Sequence, residues 1–194
     1  MLKARKYFKS LEEKALAQDF KGLQTGEGNI EGLYKIKKTG IDSRHLVSAA
    51  KRFLVSLSAE ERAKVQFDIN SDEWRKWSNV DNGIYLRSGL SLKTMSIENK
   101  QKLMSLLNAS LSIKGMDKVL AIMRSEHTLK ELNDYSAHLD EELYFITIFG
   151  EPSDSEPWGW QYEGHHLALN FFVLGDQSLA WPEIIRAHPT KRAY

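Results

Sequence analysis

The feature that most constrains this chain is a change of texture at Asn133-Asp134. Before it, apolar side chains recur every three or four residues, the spacing of an amphipathic helix. After it they fall in short β-branched and aromatic runs bounded by Gly and Pro, which is how strands read. Tyr7, Leu11, Ala15 and Leu16 predict a helix over 3–20, followed by a glycine-rich loop (Gly22, Gly26, Gly28, Gly32) and a short strand at Leu33, Tyr34 and Ile36. Asp42 or Ser43 caps a helix through Phe53 and Val55, and Ser58 with Glu61 forms a capping box for a shorter one. Ser96 opens a helix to Leu111 that Lys114-Gly115 ends, and another runs over 116–132 with Val119, Leu120, Met123, Leu129 and Leu132 buried. Strands are expected at 143–149, 158–162 and 167–174, with Gly175-Asp176 as a turn. Helices first and sheet later define an α+β class, N-terminal helices packed on a C-terminal antiparallel sheet.

Composition narrows the function. The chain has 194 residues, 42% of them hydrophobic and 27% charged, enough for one domain with a real core. Its 27 basic and 26 acidic residues leave a net charge of +1, so it lacks the basic excess of a phosphate-reading nucleic-acid binder. Lys3, Arg5, Lys6 and Lys9, and later Lys35, Lys37 and Lys38, read as solvated faces. With no cysteine, thiolate metal sites, disulfides and a cysteine nucleophile are excluded. The N-terminus has no apolar signal core and no window reaches the ~20 apolar residues of a membrane helix, so a cytoplasmic protein without a membrane partner is expected.

The chemistry concentrates in WGWQYEGHHLALN, residues 158–170. Glu163, His165 and His166 sit together, with Asn170 four residues on. On a regular strand Glu163 and His165 share one face, while His166 shares the other with Asn170, Tyr162 and Trp160. Gly164 is a natural bulge or turn that would re-aim them. Three readings stand: a metal site, metal-free acid–base work, or histidines bonded in a polar corner of the core. A metal site needs ligands from elsewhere, and Glu126, His127, Asp72 and Glu73 are candidates; adjacent on one helix, Glu126 and His127 point different ways. Trp158 and Trp160 read as core packing or as a stacking wall beside the histidines. In SDEWRKWSN (71–79), Arg75 either anchors an ion-pair network or grips an anionic substrate group. No phosphate loop, serine elbow or H-E-x-x-H spacing occurs.

NIEGLYKIKKTGID, FDINSDEWRKWSNVDN, LRSGLSLKTMS and above all GEPSDSEPWGWQYEGHHLALNFFVLGD resemble the family catalogued as domain-of-unknown-function 3500. The likeness is collinear over about 22–176. It divides one domain, 1–194, into an N-terminal helix (1–21), a family-like core (22–176) and an atypical or shortened tail (177–194). The resemblance implies that Asp72, Glu73, Trp74, Arg75 and Trp77 belong with Trp158, Trp160, Glu163, His165, His166 and Asn170 as defining positions. The resulting expectation is a metal-dependent enzyme, hydrolytic or oxidative, acting on a small organic substrate. Glu163, His165 and His166 would serve as divalent-metal ligands or acid–base groups, joined by Asp72 or Glu126. Trp158 and Trp160 would form the wall, Asn170 would orient an imidazole, and Arg75 would hold the substrate. The alternative is a non-catalytic ligand- or partner-binding module with a polar, aromatic-lined pocket.

Overall fold

The computed structural model describes residues 2–20, 24–26, 28–29, 39–40 and 42–181, with backbone alone at 24–25, 29 and 179–181. The strand expected at Leu33, Tyr34 and Ile36 and the end of the tail lie outside the described residues. Helix α1 (Leu2–Leu16) leads to a small hairpin, β1 (Gln24–Thr25) and β2 (Gly28–Asn29). Helices α2 (Arg44–Ser56) and α3 (Ala59–Val65) follow, then β3 (Gln66–Phe67), a 3-10 turn over Asp72–Arg75 and β4 (Leu90–Ser91). The chain continues through α4 (Ile97–Ser110), α5 (Ile113–Leu132), β5 (Phe145–Phe149), β6 (Trp158–Gly164), β7 (Leu167–Leu174) and β8 (Gln177–Trp181). The class is α+β, as the texture requires.

The caps explain most boundaries. Ser58 accepts the Glu61 N–H while Glu61 returns a bond to the Ser58 N–H, a complete capping box. At Ser43 the expected side-chain cap is not formed, because its hydroxyl donates instead to the Gly175 carbonyl at 2.8 Å. Lys114-Gly115 does not end a helix. Ser112 caps α5 by accepting the Gly115 N–H at 3.1 Å, so this glycine sits in a first turn, where the cap outweighs its poor propensity.

The sheet runs β3–β5–β6–β7–β8, with β4 also paired to β5. All its pairs are antiparallel except β3 with β5, which run parallel. β8 uses residues 177–181, so the start of the 177–194 segment adds a strand paired with β7. Alternation along the strands sorts the side chains. Ile146, Ile148, Trp158, Trp160, Tyr162, Leu167, Phe171 and Val173 share one core with Phe53 of α2, Leu103, Leu106 and Leu107 of α4, and Met116, Val119 and Met123 of α5. Each such large side chain, fully buried, contributes about 1.5–3 kcal/mol of transfer free energy. The opposite face is covered by the segment 68–88. There Trp74 stacks on Phe149 at 3.8 Å and lies where a Cβ at Gly159 would be, and its carbonyl accepts from Gln161 at 2.7 Å. α1 has no buried residue and is attached to that segment by polar contacts, Arg5 to the Gly83 carbonyl and Tyr85 to Glu12.

Candidate functional site

Met116, Val119 and Met123 form the buried stripe of α5, and the next position on it is Glu126. A carboxylate therefore occupies a core position, and its residue is 0% exposed. Two imidazoles account for it. His165 Nδ1 lies 3.0 Å from Glu126 Oε2, and His166 Nδ1 lies 3.1 Å from Oε1. An ionised carboxylate only accepts, so each Nδ1 donates its proton to it. Burial pushes the Glu126 carboxyl up, but the bonds from His165 and His166 outweigh it and hold the group below its ordinary value. The rings stack on each other at 3.6 Å, and both residues are buried.

Both histidines come from the turn joining β6 to β7, closed by the Gly164–Leu167 pair. His166 has φ +64° and His165 does not enter the positive region. That is the φ pattern of a type II turn, which suits Gly or Asn at its second position and fits hairpin twist poorly. A histidine there is a strained choice, and strain of this kind gathers at functional sites. Two contacts hold it. The His166 N–H donates to the Asn79 carbonyl at 2.8 Å, and the Tyr144 hydroxyl donates to the His165 carbonyl at 3.0 Å. Gly164 is required by the same packing, since a Cβ there would stand 2.4 Å from the Tyr144 ring.

The other expected residues are placed differently. Glu163 is not with the histidines: alternation turns it to the opposite face, where the Ser78 N–H reaches Oε2 at 2.8 Å. Arg87, its side chain fully buried, sits 3.4 Å away. Burial dominates over that guanidinium and pushes Glu163 up to about 7. Asn170 does not orient an imidazole. The turn changes the register expected of a continuous strand, so Asn170 pairs with Gln161 on the Glu163 face. Arg75 lies away from the histidines, where its guanidinium caps the carbonyl end of α1 at Ala15, Leu16 and Gln18 and pairs with Asp72. Asp72 is thereby accounted for away from the corner, as is Glu73, which pairs with Lys76 and accepts from Ser88. His127 points outward and pairs with exposed Glu131. Trp158 and Trp160 are each 0% exposed inside the core, so they pack the sheet and present no wall.

Among the described residues, Glu126, His165 and His166 form the group able to hold a metal ion, their ligand atoms lying within 4.8 Å of one another. Sequence reasoning reached all three but missed Tyr144, Asn79 and Arg87. The first lies inside an expected strand, and the other two lie in the stretches 67–82 and 86–96, which carry the family resemblance without either residue standing out in them. A groove of about 600 Å³ between α2 and α4, lined by Arg44, Lys51, Arg52 and Lys102 with Glu98 and Asp154, shares no residue with this corner. It gathers ordinary surface charge, whereas the corner gathers buried ionisable groups.

In this α+β fold a hairpin tip delivers two histidines to a buried helical glutamate. A family model described as protein of unknown function (DUF3500) matches residues 39–194, and the chain belongs to that family. The match begins later than the resemblance over 22–176 and includes the tail. No curated protein and no solved structure matches the chain. Among the described residues, no helix is long and apolar enough to cross a membrane.

Proposed function

We propose that this chain is a metal-dependent enzyme, hydrolytic or oxidative, that acts on a small organic substrate at the Glu126–His165–His166 corner. One observation carries the reading: a fully buried carboxylate at a core position of α5 has an imidazole on each oxygen, delivered by a backbone-strained turn. A leucine at 126 would fill a core position without desolvating a charge. Ionisable groups and strain held against that cost are the mark of a site.

The donors fit an ion. One carboxylate and two imidazoles suit zinc in hydrolytic centres and iron or manganese in redox ones. The ligand atoms lie within 4.8 Å of one another, and an ion held through Nδ1 of both rings would replace the two protons they donate to Glu126, so its binding would weaken in acid. When bound, the ion supplies Lewis-acid or redox chemistry to the substrate. The protein's own part is to hold three donors in a dry corner and keep both rings aimed at one carboxylate. Glu163 stays outside the ligand set. The rival reading, an aromatic-lined recognition pocket, loses its support because Trp158 and Trp160 are sealed in the core. A cytoplasmic location and no nucleic-acid partner go with this reading, the near-neutral charge being what supports the latter.

Elemental analysis of protein purified without a histidine tag tests the proposal, alongside the His165→Ala, His166→Ala double variant. Near-stoichiometric zinc, iron or manganese that disappears from the folded double variant is expected. A wild-type protein that takes up none of these ions after reconstitution sinks the reading.

A further inference from the structure

The strained turn must be held by something, and the structure traces that hold to one side chain outside the corner. His166 is anchored by the Asn79 carbonyl, which belongs to the loop 78–82. That loop has little hydrophobic content of its own. Its shape is set by Arg87, whose Nη1 donates to Asn82 Oδ1 at 2.7 Å while Nη2 donates to the carbonyls of Ser78 and Val80, the latter at 2.7 Å. The two carbonyls flank Asn79, so the guanidinium grips the loop on both sides of the residue that meets His166. The same loop presents the Ser78 N–H to Glu163. Glu163 Oε2 lies 3.4 Å from Arg87 Nε, so the carboxyl and the guanidinium are buried side by side.

We infer that Arg87 is a positioning residue for the candidate metal corner: it fixes the 78–82 loop so that Asn79 holds His166 in its left-handed turn and both imidazoles meet Glu126. A planar fork is what the task needs, because three acceptors at fixed angles are met by one guanidinium and not by one ammonium. Lysine at this position keeps the charge beside Glu163 but not the grip on the loop, so Arg87→Lys separates the two roles.

The inference rests on the metal reading of the corner, and its test keeps the two apart. Zinc affinity, by competition with a chelator, and hydrogen exchange of the His166 amide in metal-free protein are measured for wild type, Arg87→Lys and Leu106→Ala. The last is a change in the α4 core that controls for any general loss of stability. Arg87→Lys is expected to weaken zinc binding by about 10- to 100-fold, the usual effect of losing an outer partner of a metal ligand, and to speed exchange at His166. Leu106→Ala is expected to do neither beyond its effect on global stability. Wild-type zinc affinity and His166 protection in folded Arg87→Lys overturn the inference. Faster His166 exchange in Arg87→Lys with no zinc bound by any variant removes the metal reading and leaves Arg87 as the residue that positions the turn. If Arg87→Lys does not fold, Asn82→Ala, which removes one arm of the grip, is judged by the same two readouts.

Discussion

The tip of the β6–β7 hairpin has a buried carboxylate on each face of the sheet, and the two are driven in opposite directions. On the helical side Glu126 is wholly buried, yet an imidazole on each oxygen holds it below the ordinary carboxylate range. On the loop side Glu163 is 4% exposed, with one backbone N–H on Oε2 and a guanidinium 3.4 Å off whose Nε makes no hydrogen bond. There burial wins, and the group rises to about 7. Glu126 has an aligned donor on each oxygen and Glu163 lacks a second one, so hydrogen bonds outweigh burial at the first carboxylate and not at the second. Glu126 is built to carry charge and Glu163 to shed it, which suits the first to a cation and the second to a structural joint.

The largest expected effect lies on the loop side. Arg87→Met leaves the Ser78 and Val80 carbonyls and Asn82 Oδ1 without their donor at one stroke. The cost is about 3–5 kcal/mol in urea unfolding at neutral pH. A loss below 1 kcal/mol would erase the distinction between the faces.

Glu163→Gln sharpens it through pH. Because the folded pKa lies above that of the free carboxyl, the folded chain holds the extra proton between about pH 4.5 and 7, and stability falls as pH rises through that window. Glutamine mimics the protonated form. The variant should match wild type near pH 5 and exceed it near pH 8. Should the variant instead be destabilised at pH 8, the Arg87 pair is the stronger influence and Glu163 is ionised like Glu126.

Glu126→Gln has the opposite sign. A depressed carboxylate contributes stability that is present above its unfolded value and lost as pH falls through the folded one. At pH 7 the variant leaves one imidazole without its acceptor, at a cost of about 1–3 kcal/mol that shrinks in acid. Equal losses at pH 3 and pH 7 would contradict a charged Glu126. The smallest effect is expected for Tyr144→Phe, which deletes one hydrogen bond to the His165 carbonyl for about 1 kcal/mol and should disturb His165 more than Glu163 in NMR spectra.

Much of this arrangement is legible in the sequence. The capping serines at 58, 96 and 112, the β-branched run at 145–149 and the turn at Gly175-Asp176 all state local preferences that the fold obeys. Glu126 was recoverable too, as a charge on the 116–119–123 stripe where an apolar residue belongs. The faces expected for Glu163, His166 and Asn170 hold only for an unbroken strand, and the His165–His166 turn reverses the chain and carries Asn170 to the far face. Arg75 and Arg87 look alike in sequence, and only tertiary packing makes one a cap for α1 and the other a buried grip on a loop.

The most direct test of the division between the two carboxylates is the metal content of Glu126→Gln and Glu163→Gln, purified untagged beside wild type. The account predicts that Glu126→Gln loses its metal while Glu163→Gln keeps the wild-type amount. Retention by Glu126→Gln with loss from Glu163→Gln would contradict it and return the site to the other face of the sheet.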